Sequence, residues 1–144
     1  MPVAHLLRSK GDQVVTIAPD ATVAVTVAAL GEHRIGALVV SEDGRHIAGI
    51  VSERDVVAAL ASRGAVVLDE VVASIMTKDV VTCEPGTTVD ELMAWMTERR
   101  IRHVPVVLDG ELAGIISIGD VVKDRISELE TETQTLHEYI TGGR

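Results

Sequence analysis

The sequence predicts a mixed α/β (α+β) fold, with two copies of a β-α-β-β-α unit followed by one C-terminal helix. Three observations predict it. The chain repeats itself: Val15 matches Val81 at a spacing of 66 residues, and Gly49 matches Gly114 at 65. Within each copy, short apolar runs alternate with stretches of helical spacing. Finally, 47% of the 144 residues are hydrophobic, yet aromatic residues make up only 1% and Phe is absent. Such a chain has ample apolar surface for a core, and that core is aliphatic.

The elements follow in order. Val14-Val15-Thr16-Ile17-Ala18-Pro19 and Val80-Val81-Thr82-Cys83-Glu84-Pro85 each read as an extended segment leading into a helix. In copy two, Thr88-Val89-Asp90-Glu91 has the form of a capping box, and Val89, Leu92, Met93 and Met96 recur at helical spacing. In copy one, Val23, Val27 and Leu30 do the same without the box. Strands are expected at 37–40 and 104–108, tight hairpin turns at Asp43-Gly44 and Asp109-Gly110, and second strands at 47–51 and 112–116. Pro105 falls inside a predicted strand, so that strand should lie at an edge or lack a partner at the missing N–H. Each second strand runs through Ser52 or Ser117 into a second helix.

Residues 1–64 are read as repeat one, 65–125 as repeat two, and 126–144 as a C-terminal helix and tail. A unit of this size hardly closes a core alone, whereas two stacked units can. The tail carries Ile126, Leu129, Leu136 and Ile140 near one stripe, with Thr133 as a polar gap, and is expected to stop at Gly142-Gly143. That stripe either folds back on its own module or packs across a dimer interface.

Composition excludes several classes. The net charge of −9 repels a phosphate backbone, so nucleic-acid binding is not expected. No apolar run approaches the ~20 residues of a membrane span. The stretch from Met1 to Arg8 is too short in apolar residues for a signal peptide. The single cysteine, Cys83, cannot form an internal disulfide and reads as a core residue, so a cytoplasmic location is expected. The five histidines lack metal-ligand spacing, so no metal site is expected. There is no phosphate-binding Gly-x-x-x-x-Gly-Lys loop, no nucleophile elbow and no dinucleotide fingerprint, so an enzyme is not expected.

The most informative motif occurs twice: Gly49-Ile50-Val51-Ser52-Glu53-Arg54-Asp55 and Gly114-Ile115-Ile116-Ser117-Ile118-Gly119-Asp120. Helix capping alone accounts for Ser-x-x-Asp at a strand-to-helix turn. The same geometry also suits a ligand. A helix N-terminus offers N–H groups to an anion, a Ser hydroxyl reaches a phosphate, and a carboxylate one turn in accepts sugar hydroxyls.

This pattern, preceded by Ile101-Arg102-His103-Val104-Pro105-Val106-Val107 and the lead-in Ile75-Met76-Thr77, resembles the cystathionine-β-synthase (CBS) domain. Two copies resemble a tandem CBS pair, or Bateman module, over roughly residues 6–123. The resemblance implies a pseudo-twofold pair with two clefts that bind an adenine nucleotide such as AMP, ADP or ATP, as a regulatory ligand and not a cofactor. It implies that Asp55 and Asp120 hold ribose hydroxyls, with Ser52 and Ser117 beside ribose or phosphate. Val15 with Ile35, and Val81 with Ile101, would flank the base. Arg102 and His103 would donate to phosphate, where the matching Gly36 and Ala37 have no side-chain donors. Arg54 could supply a cation to the Asp55 cleft, and Gly119 in the matching place cannot. On this reading the Asp120 cleft is the better site. The expected function is a non-catalytic sensor that binds an adenosyl ligand and acts on a separate protein, as a homodimer. The alternative is a dimeric interaction module with unoccupied clefts, whose tail helix docks a partner.

Overall fold

Two aliphatic cores, one under each small sheet, organise the molecule. The computed structural model describes residues 1–10 and 14–142. Helix α1 (Val3–Lys10) comes first. Repeat one holds β1 (Thr16–Ile17), α2 (Val23–His33), β2 (Ala37–Val40), β3 (Gly49–Ser52) and α3 (Glu53–Arg63). Two short 3-10 turns, Gly64–Asp69 and Val72–Ser74, lead to repeat two: α4 (Val89–Arg99), β4 (His103–Leu108), β5 (Glu111–Ser117) and α5 (Ile118–Gly142). Helix α5 runs through Gly142, and the expected stop at Gly143 lies outside the described residues. No helix among the described residues is long and apolar enough to cross a membrane.

The two sheets differ, and Pro105 is the reason. In repeat one, β1 pairs parallel with β2, and β2 pairs antiparallel with β3. In repeat two, the counterpart of β1 shrinks to a single bridge between Cys83 and Val106. The Cys83 amide donates to the Pro105 carbonyl at 3.0 Å, and the Val107 amide donates back to the Cys83 carbonyl at 2.8 Å. The ladder stops there because Pro105, on that same edge, has no N–H to extend it.

Local chemistry sets the ends of the elements. Thr22 caps α2 by accepting from the Val25 amide, and Thr88 caps α4 by accepting from the Glu91 amide. Both helices end on an arginine in the left-handed region, Arg34 and Arg100, each at φ 54°. Asp109-Gly110, with φ of 52° and 79°, forms the tight hairpin expected between β4 and β5. Asp43-Gly44 does not. The Asp43 carboxylate accepts from the Arg45 and His46 amides, each at 2.8 Å, and this local turn widens the connection so that β3 starts at Gly49 and not at Ile47.

The lead-in of each repeat packs on the other repeat. Val3 and Leu6 of α1 are buried with Leu92, Met96, Val104 and Ile116 of repeat two. Val67 and Val72 of the 3-10 turns are buried with Val23, Leu38, Val40 and Val51 of repeat one. The backbone bonds match as well. Val3 donates to the Thr87 carbonyl at 2.7 Å, and Val72 donates to the Ala21 carbonyl at 2.7 Å. Val89 donates to Met1 and Val23 donates to Glu70, both at 2.8 Å. Val3-Ala4-His5-Leu6-Leu7 is therefore the counterpart of Val72-Ala73-Ser74-Ile75-Met76. Each lead-in ends against a glycine: Leu7 against Gly114 and Met76 against Gly49.

Leu6→Ala is expected to cost about 2–5 kcal/mol, because Leu6 is only 5% exposed. Hydrogen exchange should accelerate first in β4 and β5, not in β2 and β3 beside it in sequence. Gly49→Ala should cost more than Gly114→Ala. A Cβ at Gly49 would lie 2.8 Å from the Thr77 carbonyl oxygen, which is fixed backbone, while at Gly114 the nearest atoms belong to the Leu7 side chain. Thermal melts should show a loss of ~1–3 kcal/mol for Gly49→Ala, and equal losses for the two would contradict this packing.

Candidate functional site

Both Ser-x-x-Asp motifs form the caps their spacing suggests. At α3, the Asp55 amide donates to Ser52 Oγ at 3.3 Å, and the Ser52 amide donates to Asp55 Oδ2 at 2.9 Å. At α5, the Asp120 amide donates to Ser117 Oγ at 3.1 Å, and the Ser117 amide donates to Asp120 Oδ2 at 2.8 Å. The first amide of each helix is also satisfied. Glu53 donates to the Gly36 carbonyl at 3.0 Å, and Ile118 donates to the Arg102 carbonyl at 2.8 Å. These bonds tie the residue after Ile35, and the one after Ile101, to the start of a helix.

The two helix starts face one cavity of about 550 Å³. Repeat one contributes Gly36, Ala37, Ile50, Ser52, Glu53, Arg54 and Asp55. The crossing segment contributes Thr77, Asp79, Val80 and Val81. Repeat two contributes Arg100, Ile101, Arg102, His103, Ser117, Ile118 and Gly119. The volume falls in the range of small-molecule sites. Arg54, Arg100 and Arg102 stand against Glu53, Asp55 and Asp79, so the lining is balanced in charge although the chain carries −9.

The structure thus gathers Ser52, Arg54, Asp55, Gly36, Ala37, Val81, Ile101, Arg102, His103 and Ser117 around one space. Three residues from the sequence set lie elsewhere. Val15 and Ile35 are half-buried against the repeat-one core. Asp120 does not line the cavity, and its Oδ2 is held by Lys10 Nζ at 2.6 Å. Arg102 and His103 line this one cavity together with Asp55 and with Ser117 at the start of α5, while Asp120 itself lies off it. In that cavity Asp55 Oδ1 makes no hydrogen bond with the described residues, whereas Oδ2 is used in the cap.

Lys10 was not legible as a site residue. It sits at the end of α1, and its ammonium also donates to the Ile115 carbonyl at 2.8 Å. Burial pushes the Asp120 carboxyl up, but the Lys10 bond and the Ser117 amide outweigh it and hold it below the usual value. Arg100, Thr77, Asp79 and Val80 were also missed. Only the Met76-Thr77 lead-in gave any signal for that segment.

His103 and Gly36 form a matched contact across the two repeats. A Cβ at Gly36 would lie 3.1 Å from His103 Cε1, so the missing side chain of one repeat seats the imidazole of the other. Burial, followed by the positive charge of Lys10, lowers the His103 pKa below its usual value. At neutral pH His103 is a neutral hydrogen-bonding group, and the arginines carry the cationic role. Cys83 is buried, and burial with the Glu84 charge pushes its thiol up to about 11, the reverse of an activated nucleophile. No cluster of His, Cys, Asp and Glu that could hold a metal ion occurs among the described residues.

Comparison with known proteins agrees with this architecture. The CBS domain family model matches residues 5–62 and 72–126. The CBS domain-containing protein CBSX3, mitochondrial, of Arabidopsis thaliana is 36% identical over 149 residues, covering 98% of this chain and 72% of that protein. A crystal structure of a CBS-domain containing protein from Agrobacterium tumefaciens superposes with a TM-score of 0.84 at 50% identity, covering 87% of this chain and 99% of that one. A CBS domain protein from Pyrobaculum aerophilum, complexed with AMP, superposes with a TM-score of 0.78 at 30% identity, covering 92% and 99%. The family model matches both repeats and the superposition spans them, and the chain belongs to the CBS-domain family.

Proposed function

We infer that this chain is a non-catalytic regulatory module that binds an adenine nucleotide in the cavity of Asp55. The observation that carries the reading is the convergence of Asp55, Arg54, Arg102 and the start of α5 on one space of nucleotide size. The AMP complex of the Pyrobaculum relative supports the ligand class. Asp55 Oδ1 is placed to accept from ribose hydroxyls while Oδ2 keeps the helix cap. Arg102 and Arg54 supply the cations for phosphate, and His103 adds a hydrogen bond. Ile50, Val80, Val81 and Ile101 are the apolar surfaces for the base, because Trp95 and Tyr139 are the chain's only aromatics and neither lines the cavity. In this reading the bound nucleotide is a signal and not a substrate.

A thermal melt in the presence of AMP, ADP, ATP, NAD or S-adenosylmethionine tests the ligand class. At a hundredfold excess over Kd, binding should add ~2.7 kcal/mol, or roughly 5–10 °C for a chain of this size. No shift with any of them would refute the reading. Calorimetric titration then tests the cavity. Asp55→Ala and Arg102→Ala should each weaken binding by ~10- to 100-fold. Asp120→Ala, whose carboxylate is engaged by Lys10, should change it far less. A stronger effect at Asp120 than at Asp55 would move the site to the other cleft.

A further inference from the structure

We propose that the C-terminal part of α5 forms a parallel two-stranded coiled coil with a second copy of this chain. The inference is independent of the nucleotide reading. The family match ends at residue 126, and from Ile126 to Thr141 every residue of the helix is exposed. Ile126, Leu129, Leu136 and Ile140 are 51%, 59%, 61% and 67% exposed. A lone helix segment of this length is marginal in water, so its apolar row needs a cover. A shallow groove along that row is lined by Ile126, Leu129, Glu130, Thr133, Gln134 and His137.

The spacing and the charges specify the cover. Val122, Ile126, Leu129, Thr133, Leu136 and Ile140 follow one another at alternating steps of four and three, which is a heptad seam. Ile126, Thr133 and Ile140 take the a positions, and Val122, Leu129 and Leu136 take the d positions. β-branched residues at a with Leu at d favour two parallel strands. The flanks decide the direction. In a parallel pair, Arg125 of one copy meets Glu130 of the other, and Glu132 meets His137. An antiparallel pair with the same seam would set Glu130 against Glu130 and Glu132 against Glu132. Arg125 also holds Asp90 and Glu128 within its own chain, and its five N–H donors leave room for a further carboxylate.

Sedimentation of the full chain over a concentration series should show a dimer. Thr133→Cys places facing thiols at an a layer, so mild oxidation should trap a covalent dimer. Thr131→Cys, on the outer face, should not. Cys83 is buried and does not compete. Adding Leu129→Glu and Leu136→Glu to Thr133→Cys should abolish the trapping, with the melting temperature of the folded body as a check on integrity. The proposal is overturned by a full chain that stays monomeric. It is equally overturned by trapping at 133 no faster than at 131, or by trapping that survives the two glutamates.

Discussion

The structure depends on the reciprocal exchange of lead-ins. A repeat of this size exposes too much of its sheet to be stable alone. Here each sheet is closed by the segment that precedes the other repeat, through Val3 and Leu6 on one side and Val67 and Val72 on the other. Neither core is complete without the other half of the chain. The exchange also builds the cavity. Ile50 and Thr77 exchange two backbone bonds, at 2.9 and 2.8 Å, and the chain that leaves Thr77 carries Asp79, Val80 and Val81 over the start of α3. The cavity wall is thus a by-product of closing the core.

The same constraint explains why the two clefts are unequal. In repeat one, the Thr77 amide donates to the Ile50 carbonyl. At the matching place in repeat two, the Ile115 carbonyl accepts from the Lys10 ammonium. Lead-in two is extended by the time it reaches its strand, whereas lead-in one is still helical as far as Lys10. A side chain therefore does what a backbone amide does in the other half, and its charge falls on Asp120. Such a partly exposed pair contributes little to stability. Its effect is to set an ammonium on the cap oxygen of Asp120, where the cap oxygen of Asp55 takes the Ser52 hydroxyl instead.

Much of this was legible in the sequence. The Ser-x-x-Asp motifs located the helix starts, because that signal is local, whereas Val-Val-Thr became a strand only at Thr16–Ile17 and in repeat two left the single bridge at Cys83. Pro105 announced a broken ladder and produced one. The counterpart relation between Val3-Ala4 and Val72-Ala73 was not legible, because the two segments share spacing but take different helical forms, α and 3-10. The wide loop at Asp43 was hidden for a similar reason, since an Asp-Gly pair permits a tight turn without requiring one. That Arg102 and His103 line one cavity with Asp55 is a matter of tertiary packing. Both residues lie in repeat two with Asp120, and only the stacking of the repeats brings them to a cavity that Asp55 also lines.

Helix α5 links the cavity to the exposed tail. Its first residues, Ile118 and Gly119, line the cavity, and the Ile118 amide is bonded to the carbonyl of Arg102. Its far end lies about 35 Å away along an unbroken helix. Near Arg125, which pairs with Asp90 of α4, the helix leaves the body. Under the proposed function, a ligand that draws Arg102 toward phosphate would act next to the carbonyl that holds the first turn. A partner that grips the tail acts on the same rod from the other end. Any coupling between the two must be reciprocal, with each contact shifting the affinity of the other by the same factor. It also requires two settings of α5 relative to α1 and α4, because a rod with one setting transmits nothing.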